Sequence, residues 1–182
     1  LTLSGANTYS GGTRLEEGTL GIDSDTSIGT ANSSIVFLGG VLQIAGERMK
    51  NLDGRSVNWS SFHGGLDIQS TSNTFTVSQN LAGSGSLTKL GAGTLLLTGN
   101  NTYTGDTAIR EGTLKIGSLH AIPTTSGNGD LMVEGTLDLN GLSIELKGLR
   151  GDGTVTSNVT GAVTLTVGHH DRTSSFSGTI DD

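Results

Sequence analysis

The chain contains one motif twice. Residues 1–22 read LTLSGANTYSGGTRLEEGTLGI and residues 95–116 read LLLTGNNTYTGDTAIREGTLKI, so the second copy follows the first at a constant distance of 94 positions, without a gap. The positions that are identical in the two copies are Leu1, Leu3, Gly5, Asn7, Thr8, Tyr9, Gly11, Thr13, Glu17, Gly18, Thr19, Leu20 and Ile22. Such self-similarity is typical of repeat architectures, in which each unit packs against its neighbours.

Each copy predicts strand, turn, strand, turn and strand within about 22 residues, the length of one coil of a solenoid. Residues 1–4 and 95–98 open with a short strand, and Glu17-Gly18 and Glu111-Gly112 predict turns because glycine tolerates left-handed backbone. Residues 35–46 also resemble 131–141, so the large repeat spans nearly a hundred residues and about four coils. We predict that Leu3, Leu15, Leu20, Ile22, Leu95, Leu97, Ile109, Leu114 and Ile116 face a continuous interior. The predicted outward positions are Thr2, Leu96, Thr113 and Lys115.

Stacked coils explain the pattern better than hairpins do. Two-residue Asn-Gly or Asp-Gly hairpin loops occur near residues 52–54 and 127–130, but the repeated units do not lie around them. No stretch shows a helical period, and residues 46–52 are too short for a stable helix. The sequence therefore predicts an all-β parallel β-helix, with a β-sandwich as the alternative.

The composition excludes several classes of protein. Thirty glycines, 32% hydrophobic and 4% aromatic residues suit thin stacked layers, and the fixed spacing of the apolar residues argues against disorder. A net charge of −7 with scattered Arg and Lys disfavours a nucleic-acid groove or a polybasic membrane patch. No apolar run approaches the length of a membrane helix. The absence of cysteine excludes disulfides and thiolate metal sites, and agrees with passage through an oxidising periplasm.

Candidate catalytic and metal-binding residues are few. The cluster His169-His170-Asp171-Arg172 is contiguous, so neighbouring side chains would point to opposite faces, and we interpret it as a solvated loop. Carboxylates at Glu16-Glu17, Asp23, Asp25, Asp67 and Asp181-Asp182 show no paired spacing typical of a glycosidase. Glu17 and Glu111 recur once per repeat, as a turn residue would. His63 and His120 are predicted at the surface, and Trp59 and Phe62 in core or corner packing rather than in an exposed binding spot. We predict no catalytic residue, cofactor or metal.

Residues 83–117 resemble the passenger-associated repeat of bacterial autotransporters. The matching positions are Gly83, Gly85, Leu87, Thr88, Lys89, Gly91, Gly93, Thr94, Leu95, Leu97, Gly99, Asn101, Thr102, Tyr103, Gly105, Thr107, Ile109, Gly112, Thr113 and Leu114. The resemblance implies a right-handed parallel β-helix, exported by the type V route and displayed at the surface of a Gram-negative bacterium or secreted from it. It also implies an outer-membrane translocator barrel of the same polypeptide as partner.

We therefore expect one β-helical passenger segment over residues 1–182, cut from a longer array. Motif copies lie at 1–22 and 83–117, and linker coils at 23–82 and 118–182. The first functional hypothesis is a structural stalk that aids export and display of a virulence- or adhesion-type protein. The alternative is an adhesin-type binding module that contacts a host or neighbouring cell through the loops at 51–63 or 118–129. A carbohydrate hydrolase or lyase ranks below both, and neither membrane insertion of this segment nor nucleic-acid binding is expected.

Overall fold

A computed structural model describes residues 1–124, 129–168 and 173–181, and this part of the chain is all-β apart from one 3-10 turn at Asp25–Ile28. The strands are β1 Thr2–Leu3, β2 Thr13–Leu15, β3 Thr19–Ile22, β4 Ile35–Ile44, β5 Val57–Ile68, β6 Thr74–Val77, β7 Leu87–Leu90, β8 Thr94–Leu97, β9 Thr107–Ile109, β10 Thr113–Ile116, β11 Leu131–Val133, β12 Thr136–Asp138, β13 Ile144–Leu146, β14 Leu149–Gly151, β15 Thr154–Thr156, β16 Leu165–Val167 and β17 Thr179–Ile180.

The strands stack in parallel as a β-solenoid of about 8 turns, which confirms the predicted fold class. A first sheet runs β1-β3-β4-β5-β7-β9-β11-β14, with β2 also paired to β4, and a second runs β6-β8-β10-β12-β15-β17. A two-stranded sheet joins β13 and β16. Turns between successive strands contain glycines with positive φ, such as Gly18 and Gly112, so the predicted Glu-Gly turns are confirmed.

Side chains alternate between a closed interior and the outer surface, as the sequence predicts. In β8 and β10 the first and third residues are half-buried, and the second and fourth are buried. In-register pairing places apolar residues above one another, so each coil extends one continuous core. One fully buried ladder in the second sheet consists of Phe75, Leu95, Leu114, Leu137 and Val155.

The two motif copies do not lie on the same side of the solenoid. Thr2 pairs with Gly21, and its counterpart Leu96 pairs with Lys115, so one coil of either motif takes 19 residues. The register that begins at Thr2 reaches Leu90 after four coils, 88 residues later. Leu96, the counterpart of Thr2 in the second copy, lies six residues further on, in the next sheet. The repeat of 94 positions thus corresponds to four coils and one additional face, rather than to a whole number of coils.

Aromatic side chains fill the interior near the middle of the chain. Trp59 is stacked on Phe37 with ring centroids 5.6 Å apart, and Phe62 lies 5.1 Å from Phe37 and 5.7 Å from Trp59. All three are buried, which confirms that Trp59 and Phe62 pack in the core. The loop expected at 51–63 is wrong in its second half, because β5 begins at Val57 and these aromatic contacts hold it as a strand.

Among the described residues, no helix has the length and hydropathy needed to cross a membrane.

Candidate functional site

The most regular part of the solenoid is the motif segment 83–117, and a buried lysine, Lys89, lies near its start. Lys89 is fully buried in β7 and pairs in register with Leu66 of the preceding coil and Ile109 of the next. Its Nζ donates hydrogen bonds to the carbonyl oxygens of Leu90 at 2.7 Å, Gly91 at 2.6 Å and Glu111 at 3.1 Å. The ammonium therefore satisfies backbone acceptors of its own turn and of the next coil.

Burial lowers the pKa of Lys89 to about 8, while the carboxylates of Asp67 and Glu111 act in the opposite direction. Removal of the ammonium from water disfavours its charged form, and the three carbonyl contacts keep it oriented. Because neither carboxylate makes an ion pair with Nζ shorter than 4 Å among the described contacts, Lys89 acts as a hydrogen-bonding brace rather than as half of a salt bridge.

The repeated Asn-Thr-Tyr triplet has a structural role. Asn101 accepts a hydrogen bond from the Leu81 amide at 2.9 Å and donates to the Ala121 carbonyl at 2.6 Å, so it joins three consecutive coils. Its counterpart Asn7 donates to the Ser27 carbonyl at 2.7 Å.

The tyrosine of this triplet anchors the following strand. Tyr103 is fully buried, and its hydroxyl lies 2.5 Å from Thr107 Oγ1, while the more exposed Tyr9 makes the equivalent contact to Thr13 at 2.8 Å. Burial raises the pKa of Tyr103, which keeps the phenol neutral. The repetition of this triplet therefore follows from two kinds of hydrogen bond: the asparagine links neighbouring coils, and the tyrosine contacts the threonine that begins the next strand of its own coil.

Arg55 holds the 3-10 turn of the second coil. Its guanidinium donates to the carbonyl oxygens of Ile28 at 3.1 Å, Thr30 at 2.9 Å and Gly29 at 3.1 Å. It also donates to the carboxylate and carbonyl of Asp25. The side chain of Arg55 is 1% exposed. Its planar guanidinium therefore takes the place of water as the hydrogen-bond donor to the carbonyl oxygens of this turn. The sequence alone does not indicate this contact, because Asp25 and Arg55 lie 30 residues apart.

Ion pairs on the outside connect successive coils in the second half of the chain. Arg110 and Glu134 lie 2.6 Å apart, and Lys115 and Asp138 lie 3.1 Å apart. Burial favours the neutral form of Asp138, but hydrogen bonds from Asn140, Asn158 and Lys115 outweigh it and lower its pKa. The exposed Arg110–Glu134 pair adds modestly to cohesion between coils, whereas the carboxylate of the Lys115–Asp138 pair is buried.

The carboxylates considered as catalytic groups do not converge. Asp23 accepts a hydrogen bond from Ser27 Oγ at 2.9 Å, Glu16 pairs with Arg14, and Asp25 contacts Arg55. Asp67 is buried and accepts from Gln43 at 2.7 Å and from Gln69. Within residues 1–124, 129–168 and 173–181, no three His, Asp or Glu side chains are grouped closely enough to hold a metal ion.

Two of the four histidines, His63 and His120, lie in the part of the chain that the structure describes. His63 and His120 are exposed, as predicted, but His63 has a partner that the sequence did not suggest, since its Nδ1 accepts a hydrogen bond from the Ser86 amide at 3.0 Å. The cluster His169–Arg172 and Asp182 lie outside the described residues, as does part of the loop expected at 118–129.

Comparison with known proteins identifies the repeats. The family model described as Passenger-associated-transport-repeat matches residues 1–22 and 87–116, which are the two motif copies. The chain is 37% identical over 192 residues to "Adhesin BmaC autotransporter" of Brucella suis biovar 1 (strain 1330), across 98% of this chain and 6% of that protein. It is 49% identical over 61 residues to "Extracellular serine protease" of Serratia marcescens, across 33% of this chain and 6% of that protein. A second match to a protein of that description and organism has 57% identity over 37 residues. No solved structure matches the chain.

Proposed function

We propose that this chain, which carries the passenger-associated-transport-repeats of autotransporter passengers, is a structural stalk that aids export of the passenger and its display at the surface of a Gram-negative bacterium. The observation that supports this function most is the continuous interior ladder, which each coil extends and which hydrogen bonds of Lys89 and Asn101 brace from coil to coil. The chain spans 6% of the length of the adhesin relative, so the proposal concerns this segment.

Coil-by-coil stacking suits export across the outer membrane, where no ATP is available. Each new coil contacts mainly its neighbour, so it can fold as soon as it emerges. A newly added coil buries several apolar side chains, each worth roughly 1.5–3 kcal/mol. Folding outside would therefore oppose backward sliding of the chain through a translocator barrel of the same polypeptide, which is its proposed partner.

The experiment compares two adjacent substitutions in the full-length parent protein. Leu97→Asp places a charge in the closed interior, and Leu96→Asp places the same charge on the half-buried outer side of the same strand. We expect pulse-chase labelling to show slow secretion and periplasmic retention for Leu97→Asp and near-normal secretion for Leu96→Asp. Deletion of residues 83–117 should also slow secretion, and Arg14→Ser, an exposed change, should not. Equal secretion of the two aspartate variants would refute the proposal.

A second candidate is an adhesin-type binding module. The name of the Brucella relative, an adhesin, favours it, as does the irregular surface around residues 51–63. Exchange of the exposed residues within 51–63 for those of another coil would distinguish the two proposed functions. If the segment is a stalk, the variant should retain both export and adhesion. If it is a binding module, the variant should retain export and lose adhesion. We place any catalytic activity of the whole protein outside this segment.

A further inference from the structure

The middle of the solenoid contains a polar cleft between β5 and the segment that precedes β7. Its volume is about 470 Å³, and it is lined by Ser60, Ser61, His63, Gly83, Ser84 and Gly85. This volume falls in the range of about 300–1,000 Å³ that is usual for small-molecule sites. Two other clefts lie at the two ends of the described solenoid, whereas this one lies near its middle.

The cleft exists because β5 carries extra residues. Val36 pairs with Asn58 and Leu38 pairs with His63, so four residues of β5 stand opposite a single residue of β4. Trp59 and Phe62, at the two ends of this bulge, are buried in the aromatic cluster. Ser60 and Ser61 between them are exposed, so a rigid apolar base presents their hydroxyls to solvent.

Two glycines form the other wall. A Cβ on Gly83, whose φ is +100°, would meet the Ser60 carbonyl oxygen at 3.0 Å and Ser61 Cα at 3.1 Å. A Cβ on Gly85 would overlap the Phe62 carbonyl oxygen and His63 Cβ. The two coils therefore approach closely at positions that have no side chain. Between these glycines, Ser84 contributes the exposed side chain of this wall.

The polar groups of the cleft offer both donors and acceptors. Ser60 Oγ donates to Asn58 Oδ1 at 2.7 Å, so its lone pairs remain for a ligand. His63 Nδ1 accepts from the Ser86 amide at 3.0 Å, so the proton of its neutral ring lies on Nε2, which can donate. Ser61 and Ser84 add hydroxyls that can do either.

These polar groups do not form the active site of a serine hydrolase or a site for an ion. His63 cannot take a serine proton at Nε2 while that atom is protonated, so the group lacks the general base of a serine hydrolase. Among the residues that the structure describes, no carboxylate lines the cleft to hold a cation, and no Lys or Arg lines it to hold an anion. Neutral, mixed donor and acceptor groups match the hydroxyls of an uncharged sugar.

We propose that this cleft binds one or two residues of a neutral saccharide. Ser60 accepts from a sugar hydroxyl, His63 Nε2 donates to one, and Ser61 and Ser84 hold adjacent hydroxyls from opposite walls. Without an exposed aromatic ring for stacking among the lining residues, the affinity is weak, with a Kd of about 1 mM.

The test is NMR titration of the ¹⁵N-labelled chain with maltotetraose, cellotetraose, lactose and di-N-acetylchitobiose. We expect at least one of these sugars to cause saturable shifts of the amides of Ser60, Ser61, His63 and Ser84. The double substitution Ser61→Ala/Ser84→Ala should weaken binding at least about fivefold, since each lost hydroxyl removes a hydrogen bond. Both residues are exposed, so the amide spectrum elsewhere should be unchanged.

The matched control is Ser10→Ala/Ser72→Ala, which removes two exposed hydroxyls outside the cleft and should leave the Kd unchanged. Absence of saturable shifts with all four sugars at 20-fold excess over the expected Kd, that is about 20 mM, would overturn the proposal. So would equal binding by the Ser61→Ala/Ser84→Ala variant.

Discussion

The alternation of inward and outward side chains predicts a large difference between two neighbouring leucines. Leu97 is fully buried and stacks between Val77 and Ile116, which are themselves almost fully buried. Leu97→Ala removes that contact and leaves a cavity, so the free energy of unfolding should fall by about 2–5 kcal/mol. Leu96 is half-buried on the outer side of the same strand, and Leu96→Ala should cost less than about 1 kcal/mol.

Urea titration followed by far-UV circular dichroism and by fluorescence of Trp59 measures both variants, because Trp59 is the single tryptophan and lies in the core. For a chain of this size, 1 kcal/mol corresponds to about 2–4 °C in Tm, so Leu97→Ala should lower Tm by about 4–20 °C. Leu96→Ala should lower it by less than about 4 °C. Equal losses for the two variants would refute the assignment of interior and exterior, and with it the coiled register.

Three further substitutions test the other contacts between coils. Arg55→Met should cost about 2–4 kcal/mol in denaturant titration, because several turn carbonyls lose their donor, whereas Asp25→Asn should cost less than about 1 kcal/mol since that side chain is 56% exposed. Gly85→Ala should cost about 1–3 kcal/mol through overlap with the preceding coil, and Gly54→Ala, where a Cβ would meet nothing within 4 Å, should leave Tm unchanged. Between pH 8 and 10 the folded chain releases the Lys89 proton while the unfolded chain, with a pKa of 10.5, retains it, so stability must rise with pH. Relative to Lys89→Met, the wild-type free energy of unfolding should therefore increase by up to about 1.4 kcal/mol per pH unit in this window, and a decrease would show that the carbonyl contacts and nearby carboxylates stabilise the ammonium more than burial destabilises it.

The sequence predicted the features that repeat. The Glu17-Gly18 turn and its counterpart Glu111-Gly112 follow from the need for left-handed backbone at one position of each coil. The apolar spacing of residues 94–97 predicted which side of the strand is buried, because a strand has a period of two. The two motif copies also coincide with the matches to the family model, so the family could be recognised from the sequence.

Features that depend on contacts between distant coils could not be predicted. The burial of Lys89 was not predicted, although Lys89 lies two positions after Leu87 and therefore on the same side of the strand. The alternation of buried and outward positions does indicate an interior position for residue 89, but a charged side chain is not expected there. The bulge in β5 and the cleft beside it arise from extra residues whose effect appears only when β4 is aligned with β5. The displacement of the second copy by one face depends on the summed lengths of all intervening turns, which no single motif specifies.

The rate of export, measured against the stability of the coils, tests most directly the claim that stacking drives passage across the outer membrane. The substitutions Leu96→Ala, Gly85→Ala, Arg55→Met and Leu97→Ala provide a graded series, and each would be placed in the full-length parent protein and followed by pulse-chase labelling. The account predicts that the half-time of appearance outside the cell lengthens as the free energy of unfolding falls, with Leu96→Ala close to the wild type and Leu97→Ala among the slowest. Export of Leu97→Ala at the wild-type rate, despite its measured loss of stability, would contradict the account.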